Sequence, residues 1–174
     1  MTDSTPSRPA TLWIDADACP TALRGVLNKA ARRSGVRLVY VANHPIPVPA
    51  DANITSVQVA SGFDVADDEI AKRCAAGDLV VTGDVPLAAE VVAKGAEAVT
   101  TRGERFDPDT IRQRLNLRDF MDTMRGSAAK DQNARPGGGP APLGPKERQA
   151  FANELDRWLA RRRRARPPPD RGAV

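Results

Sequence analysis

Short apolar runs alternate with longer amphipathic segments along most of this chain. Runs rich in β-branched residues predict strands, and apolar residues spaced three and four apart predict helices. The predicted strands cover residues 12–16, 36–42, 54–59, 79–82 and 96–100. The predicted helices cover residues 21–33, 64–76, 86–94, 108–124 and 146–165. This alternation is typical of an α/β fold, so we expect a three-layer sandwich around a mainly parallel, five-stranded sheet.

Composition divides the chain into a body and flanking segments. We expect one α/β domain over residues 11–125, preceded by a disordered N-terminus at residues 1–10. Residues 126–145 are rich in Gly and Pro and predict a linker. A C-terminal amphipathic helix over residues 146–165 and a disordered tail over residues 166–174 complete the predicted organisation.

The C-terminal helix carries one apolar face, made of Phe151, Leu155, Trp158 and Leu159. A tryptophan on such a face is too costly to leave in water, so the face is expected to dock. It docks either on the α/β domain or on a second copy of the chain. A homodimer through this helix is therefore one of two options.

The sequence excludes several classes of protein. Its two cysteines, Cys19 and Cys74, are too few for a disulfide framework or a cysteine-rich zinc site. The polar N-terminus lacks the apolar segment of a signal peptide, and no apolar run approaches the length of a membrane span. These features predict a cytoplasmic protein with no membrane partner.

Charge is distributed unevenly along the chain. The formal net charge is +4, but residues 157–174 alone carry seven arginines and one aspartate. The preceding residues are therefore mildly acidic as a group. The arginine-rich end either holds nucleic acid through nonspecific phosphate contacts or is a solvated helix end.

Two carboxylates, Asp15 and Asp17, follow the first predicted strand, and Pro20 opens the next helix. Open α/β sheets keep their functional sites at the carboxyl ends of the strands. An unpaired buried charge is costly, so acids at a strand end indicate a bound cation. The alternative is that one of the two acids caps the helix that begins near Pro20.

Two further acidic segments have comparable positions. One is the start of the second helix, where acids also suit the helix dipole and Asp64 is the expected N-cap. The other is Thr82-Gly83-Asp84, which ends the fourth strand. Carboxylates that converge need a neutralising cation, and a set of oxygen ligands selects Mg²⁺ or Mn²⁺. The predicted metal ligands are Asp15, Asp17, Asp67, Asp68 and Asp84.

Several of these segments resemble known motifs. Ala66-Asp67-Asp68 and Thr82-Gly83-Asp84 are similar to motifs of PIN-like and 5′-nuclease domains. A closer resemblance, dense over residues 11–125, is to the YaiI/YqxD family of bacterial proteins. It is carried by Trp13-Ile14-Asp15-Ala16-Asp17-Ala18-Cys19-Pro20, Val41-Ala42-Asn43, Gly62-Phe63-Asp64-Val65-Ala66-Asp67, Pro86-Leu87-Ala88, Arg102-Gly103-Glu104 and Arg118-Asp119-Phe120-Met121-Asp122.

The resemblance implies a PIN-like fold and matches Asp15, Asp67, Asp68 and Asp84 to the metal-binding acids of PIN-like nucleases. Asp17 is peculiar to the YaiI/YqxD motif. The chain departs from the 5′-nuclease pattern at Pro86, where a second Asp usually follows Thr-Gly-Asp. One-metal, two-metal and inactive sites therefore all stay open.

We expect a metal-dependent nuclease that acts on RNA, in which the metal activates a water and Asp15, Asp17 and Asp84 are catalytic. A haloacid-dehalogenase-like phosphatase, with Asp15 as nucleophile and Asp17 as acid/base, is an alternative. It lacks an obvious cap domain and an obvious lysine at a helix start. A non-catalytic RNA-binding or scaffold module is the third hypothesis.

Four residues are candidates for substrate binding. Asn43 and His44, the only histidine, follow the second strand, whereas Arg102 and Arg105 follow the fifth. Packing within a loop or pairing at the surface would explain them equally. Cys19, just before a helix, is a weak candidate nucleophile, and a small packed thiol is the simpler interpretation.

Overall fold

The computed structural model describes residues 9–62, 64–125 and 143–165. The predicted N-terminal segment and linker therefore lie largely outside the described residues. The predicted tail, residues 166–174, lies wholly outside them.

Six strands and five helices make up the described fold. The strands are β1 (Thr11–Asp15), β2 (Arg37–Ala42), β3 (Ile54–Gln58), β4 (Leu79–Val81), β5 (Glu97–Val99) and β6 (Arg105–Phe106). The helices are α1 (Thr21–Ser34), α2 (Val65–Arg73), α3 (Val85–Ala93), α4 (Pro108–Arg125) and α5 (Pro145–Ala165). A short 3-10 turn, Ala16–Ala18, connects β1 to α1.

The strands form one sheet in the order β3-β2-β1-β4-β5-β6. The first five strands are parallel, and β6 pairs antiparallel with β5. The α/β fold with a mainly parallel sheet is therefore confirmed, with one strand more than the sequence predicted. The additional strand has only two residues, too few to produce an alternating pattern. The order reverses between β1 and β4, the switch point at which open α/β sheets bind ligands.

Helices cover both faces of the sheet and give it three layers. Along β1, Leu12 and Ile14 point into the core that α1 and α5 cover. Trp13 points into the opposite core, beneath α2 and α3. Because side chains alternate along a strand, Asp15 shares the α2 and α3 side with Trp13.

A buried carboxylate holds β1 to β4 near their amino ends. Asp78, with no exposed surface, accepts the Thr11 N–H at 2.8 Å and the Trp13 indole N–H at 2.9 Å. It also accepts the Ala75 N–H at 3.0 Å. These bonds set the two central strands side by side, so their carboxyl ends emerge together.

Helix α5 packs on the α/β domain itself. Phe151, Leu155, Trp158 and Leu159 are all buried in the core beside α1. The Trp158 indole N–H donates to the Gly77 carbonyl at 3.2 Å. The apolar face of α5 is therefore buried against the α/β domain of the same chain, which is the first of the two docking options. No helix of the described residues is long and apolar enough to cross a membrane.

The start of α5 packs closely on the turn between β5 and β6. Gly103 has φ +85°, and a Cβ there would lie 2.5 Å from the carbonyl carbon of Ala150. Only glycine fits both the backbone angle and this approach. The turn and the helix therefore contact each other backbone to backbone.

Candidate metal centre

The Thr82 hydroxyl connects the two acidic segments that follow β1 and β4. Thr82 is buried and donates from Oγ1 to Asp15 Oδ2 at 3.3 Å. The same oxygen accepts the Asp84 N–H at 3.0 Å. The sequence explains this contact, because Thr82 lies two residues after Val80 and faces the same side of the sheet. The Thr82 hydroxyl thus forms hydrogen bonds with both segments and fixes Asp15 relative to Asp84.

Asp84 is the N-cap of α3, and its Oδ1 accepts the Leu87 N–H at 2.9 Å. This bond orients the carboxylate at the switch point, and Oδ2 takes no part in the capping hydrogen bond. Helix α1 differs, because its N-cap is Pro20 and no side chain caps it. Neither Asp15 nor Asp17 therefore caps α1, and the explanation of these two acids as caps of that helix is wrong.

Helix α2 brings two more acids to Asp84. Asp64, Asp67 and Asp84 each present one carboxylate oxygen, and these atoms lie within 4.8 Å of one another. Asp64 occupies the N-cap position of α2 with φ +64°, but its side chain makes no capping hydrogen bond. The pocket beside these acids is lined by Asp64, Asp67, Asp68, Asp84, Pro86, Leu87 and Glu90.

Two acids at this edge, Asp15 and Asp67, bind protons more tightly than free carboxylates. Burial raises the pKa of Asp15 to about 6; Asp17 and Asp84 add to the rise, and the Thr82 hydrogen bond opposes it. Burial also raises the pKa of Asp67 to about 7, with further increases from Asp84, Asp15 and Asp64. Three segments thus concentrate negative charge in one partly desolvated place, which a cation would neutralise. We call Asp15, Asp64, Asp67 and Asp84 the acidic cluster.

Asp17 lies beside the cluster and faces the end of β2. Its carboxylate accepts the Asn43 N–H at 3.2 Å and lies 3.1 Å from Nδ1 of His44. The His44 side chain is about half exposed. Asp17, Asn43 and His44 thus form a polar group next to Asp15, and Asp17 is not one of the three acids whose oxygens converge.

The two predicted arginines face other parts of the molecule. Arg102 lies 4.0 Å from Glu147 on α5. Arg105 pairs with Glu97 at 3.0 Å and with Glu154 at 3.6 Å. Both therefore contact carboxylates of α5 or β5, at the side of the sheet away from the acidic cluster.

Cys19 is a packed thiol. It is buried in the α1 core, and burial raises its pKa to about 11. The side chain is therefore protonated near neutral pH, which does not favour a nucleophilic role.

Three features of the site were not predicted from the sequence. Asp64 was expected to cap α2, and its spacing of four residues from Asp68 placed these two acids on one helix face, but it was not predicted as a metal ligand. Thr82 was noted only as part of a motif, and Glu90 was not considered. Asp68 lines the neighbouring pocket instead of joining the three convergent acids.

Fold and site together define an open, mainly parallel α/β protein with carboxylates at the switch point of its sheet. Sequence comparison gives the family. The chain belongs to the YaiI/YqxD family, described as uncharacterised, whose profile matches residues 13–161.

Relatives from several bacteria are similar over most of their length. The UPF0178 protein of Halorhodospira halophila is 62% identical over 151 residues, which is 87% of this chain and 96% of the relative. The UPF0178 protein of Vibrio campbellii is 56% identical, over 87% of this chain and 99% of its own. The UPF0178 protein of Yersinia pestis is 55% identical, over 87% and 96%. No solved structure matches the chain.

Proposed function

We propose that this protein is a divalent-metal-dependent nuclease that hydrolyses phosphodiesters in RNA. The observation that carries the proposal is the convergence of Asp64, Asp67 and Asp84 at the switch point of the sheet, with Asp15 beside them. An acidic cluster without a ligand is costly to the fold, because its members repel one another and are partly desolvated. A resident cation would relieve this cost.

The donor set fits Mg²⁺ or Mn²⁺. Every candidate ligand is a carboxylate oxygen, the donor type that these hard ions prefer. The proposed principal ligands are Asp64, Asp67 and Asp84, whose oxygens converge, with Asp15 beside them. Pro86, which stands in the sequence where 5′-nucleases usually carry a further acid, lines the same pocket. A bound ion would supply Lewis acidity and a water activated for attack on phosphorus.

The surrounding residues orient these groups. The Leu87 N–H holds one oxygen of Asp84, and the Thr82 hydroxyl holds one oxygen of Asp15. Both carboxylates therefore meet a cation with little reorganisation. Asp17 and the Asn43 side-chain oxygen both lie against Nδ1 of His44, so that Nε2 is the imidazole atom proposed to contact the phosphodiester on the β2 side. Arg102 and Arg105, paired with α5 or β5, have no part in this proposal.

The phosphatase alternative is less well supported. Asp17, the acid/base of that mechanism, is occupied by Asn43 and His44. The acids of α2 also have no role in the phosphatase mechanism as proposed, whereas a metal-dependent nuclease uses them.

A cleavage assay tests the proposal. Purified protein is incubated with single-stranded and structured RNA, with Mn²⁺, Mg²⁺ or EDTA. Wild type should cleave only with a divalent ion, and Asp84→Asn should abolish cleavage. Asparagine also caps helices, so this variant keeps the bond from Leu87 and should fold normally. Asp109→Asn, which removes an exposed acid from the first turn of α4, is the matched control and should remain active.

Three other outcomes would each favour a different conclusion about the function. Cleavage that persists in Asp84→Asn at the wild-type rate would identify a contaminating nuclease and contradict the proposal. Metal-independent RNA binding without cleavage would support the binding module. Trapping of a phosphorylated Asp15 would support the phosphatase.

A further inference from the structure

Basic side chains gather at the amino edge of the sheet, opposite the acidic cluster. Helices α1, α2 and α3 end at this edge, because each one leads into the next strand. The end of α5 also reaches it, since Trp158 contacts Gly77 and Arg161 pairs with Glu97 at the start of β5. We call this surface the basic edge. Its members are Arg32, Arg33, Arg37, Lys72, Arg73, Lys94, Arg161 and Arg162.

Acidic side chains neutralise only part of this surface. Four of its arginines form ion pairs: Arg32 with Asp51, Arg33 with Asp156, Arg73 with Glu69 and Arg161 with Glu97. Arg37 and Lys72 are exposed and form no ion pair with any described residue. Arg163 and Arg164 are the next residues of α5. The edge therefore keeps an excess of positive charge.

Arg162 is held in a defined position at this end. Its guanidinium lies over the Trp158 ring, 4.9 Å from the centroid. A cation held over an aromatic ring loses less conformational entropy when it meets a phosphate than a free arginine would. The basic edge is thus a partly ordered surface and not only a set of mobile side chains.

We propose that the basic edge binds the phosphate backbone of nucleic acid, at a surface separate from the acidic cluster. Phosphates are attracted by the excess cations here and repelled by the carboxylates at the opposite edge. β1, five residues long, separates the two edges by about 16 Å along the strand direction. A nucleic acid that occupies both surfaces has to cross this distance, so each surface can be tested alone.

Nucleic acid fits this surface better than an anionic membrane does. Membrane-surface helices insert aromatic and aliphatic side chains into the bilayer. The apolar face of α5, from Phe151 to Leu159, is already buried in the core. The basic edge therefore offers charge without an apolar face to insert.

The test measures the salt dependence of binding to a fluorescent uridine homopolymer in EDTA, which removes any contribution of divalent ions. The test variant is Arg37→Gln/Lys72→Gln in the full chain. The control is Lys146→Gln/Arg148→Gln, which removes the same charge from two exposed positions. Both lie in the first turn of α5, beside Glu147 and near the turn between β5 and β6, and therefore away from the basic edge. Circular dichroism checks that both variants are folded.

The expected change follows from counterion release. Each lost phosphate contact lowers the slope of log affinity against log salt by about 0.7 for a single strand. The test variant should therefore lose about 1.4 from the slope. Between 50 and 200 mM salt, wild type should weaken about sevenfold more than the test variant. The control should keep the wild-type slope.

Three results would overturn the proposal: equal slopes in wild type and test variant, an equal fall of slope in the control, or binding to phosphatidylserine vesicles but not to RNA. The inference is separable from the proposed nuclease activity. The test variant should keep any rise in melting temperature that Mn²⁺ produces in wild type, because its substitutions lie away from the acidic cluster.

Discussion

Replacing Asp67 with asparagine should stabilise the metal-free protein at pH 8. The carboxylate of Asp67 has its pKa raised to about 7 by burial and by Asp84, Asp15 and Asp64. Asparagine has nearly the same shape but no charge, so it removes the repulsion. It can still donate a hydrogen bond to Asp84, as protonated Asp67 does.

The sign follows from proton linkage. Below about pH 4, Asp67 is protonated in both folded and unfolded chains, and it contributes no pH-dependent cost. Between about pH 4 and 7, the unfolded chain releases the proton while the folded chain keeps it, so stability falls as pH rises. Above pH 7 the cost is fully present. The variant should therefore match wild type near pH 4 and exceed it at pH 8.

The magnitude follows from the pKa difference. A rise from 3.8 to about 7 corresponds to about 4 kcal/mol if none of it is screened. Asp67 is partly exposed, so solvent reduces the gain to about 1–2 kcal/mol. For a chain of this length, the melting temperature should rise by about 2–8 °C.

Differential scanning fluorimetry in EDTA at pH 4.5, 6 and 8 measures this gain. Asp68→Asn, a substitution of the neighbouring acid in the same turn, is the control and should show no such gain. Addition of Mn²⁺ should then stabilise wild type by mass action and stabilise Asp67→Asn much less. An Asp67→Asn variant that is less stable than wild type at pH 8 would refute the electrostatic account of the cluster.

Two further substitutions test the architecture around the site. Gly103→Ala should lower the free energy of unfolding by about 2 kcal/mol or more, because the alanine Cβ would lie 2.5 Å from the Ala150 carbonyl carbon. Urea denaturation measures this loss. An unchanged midpoint would contradict the close contact. Asp78→Asn should cost about 2–4 kcal/mol, because an amide cannot accept all three N–H groups that the carboxylate accepts. Tryptophan fluorescence, to which buried Trp13 and Trp158 both contribute, follows the unfolding of the second variant. Wild-type stability would show that the buried carboxylate is dispensable.

The alternation of apolar runs was sufficient to predict the fold class. β1, β2 and β4 are buried on both faces, so they appear in the sequence as continuous apolar segments between helical ones. The sixth strand was missed because it is specified by its pairing with β5 and not by a local pattern. Such a two-residue strand has no periodicity to detect.

The candidate site could be predicted only in part. Acids that directly follow strands, such as Asp15 and Asp84, were located by topology, because parallel strands end at one edge. The direction of each side chain depends on tertiary contacts that a sequence does not display. Asp17 faces His44 because the 3-10 turn after β1 redirects the chain. Arg105 faces α5, whose position on the sheet could not be inferred from its own sequence.

Asp64 illustrates the same difficulty. Its position before a helix predicts a cap, and an Asp N-cap normally accepts a backbone N–H of the first turn. Here the left-handed backbone conformation at Asp64 accompanies a carboxylate that makes no such bond and lies near Asp67 and Asp84. Local propensity thus predicted the N-cap position of Asp64 correctly, but it predicted a capping hydrogen bond that the side chain does not form.

Anomalous diffraction from crystals grown with Mn²⁺ would show whether the acidic cluster is a divalent-cation site. We expect an anomalous peak at bonding distance from carboxylate oxygens of Asp67 and Asp84, and its loss in crystals of Asp84→Asn. Crystals at saturating Mn²⁺ with no peak at the cluster, or with a peak that persists unchanged in Asp84→Asn, would contradict it.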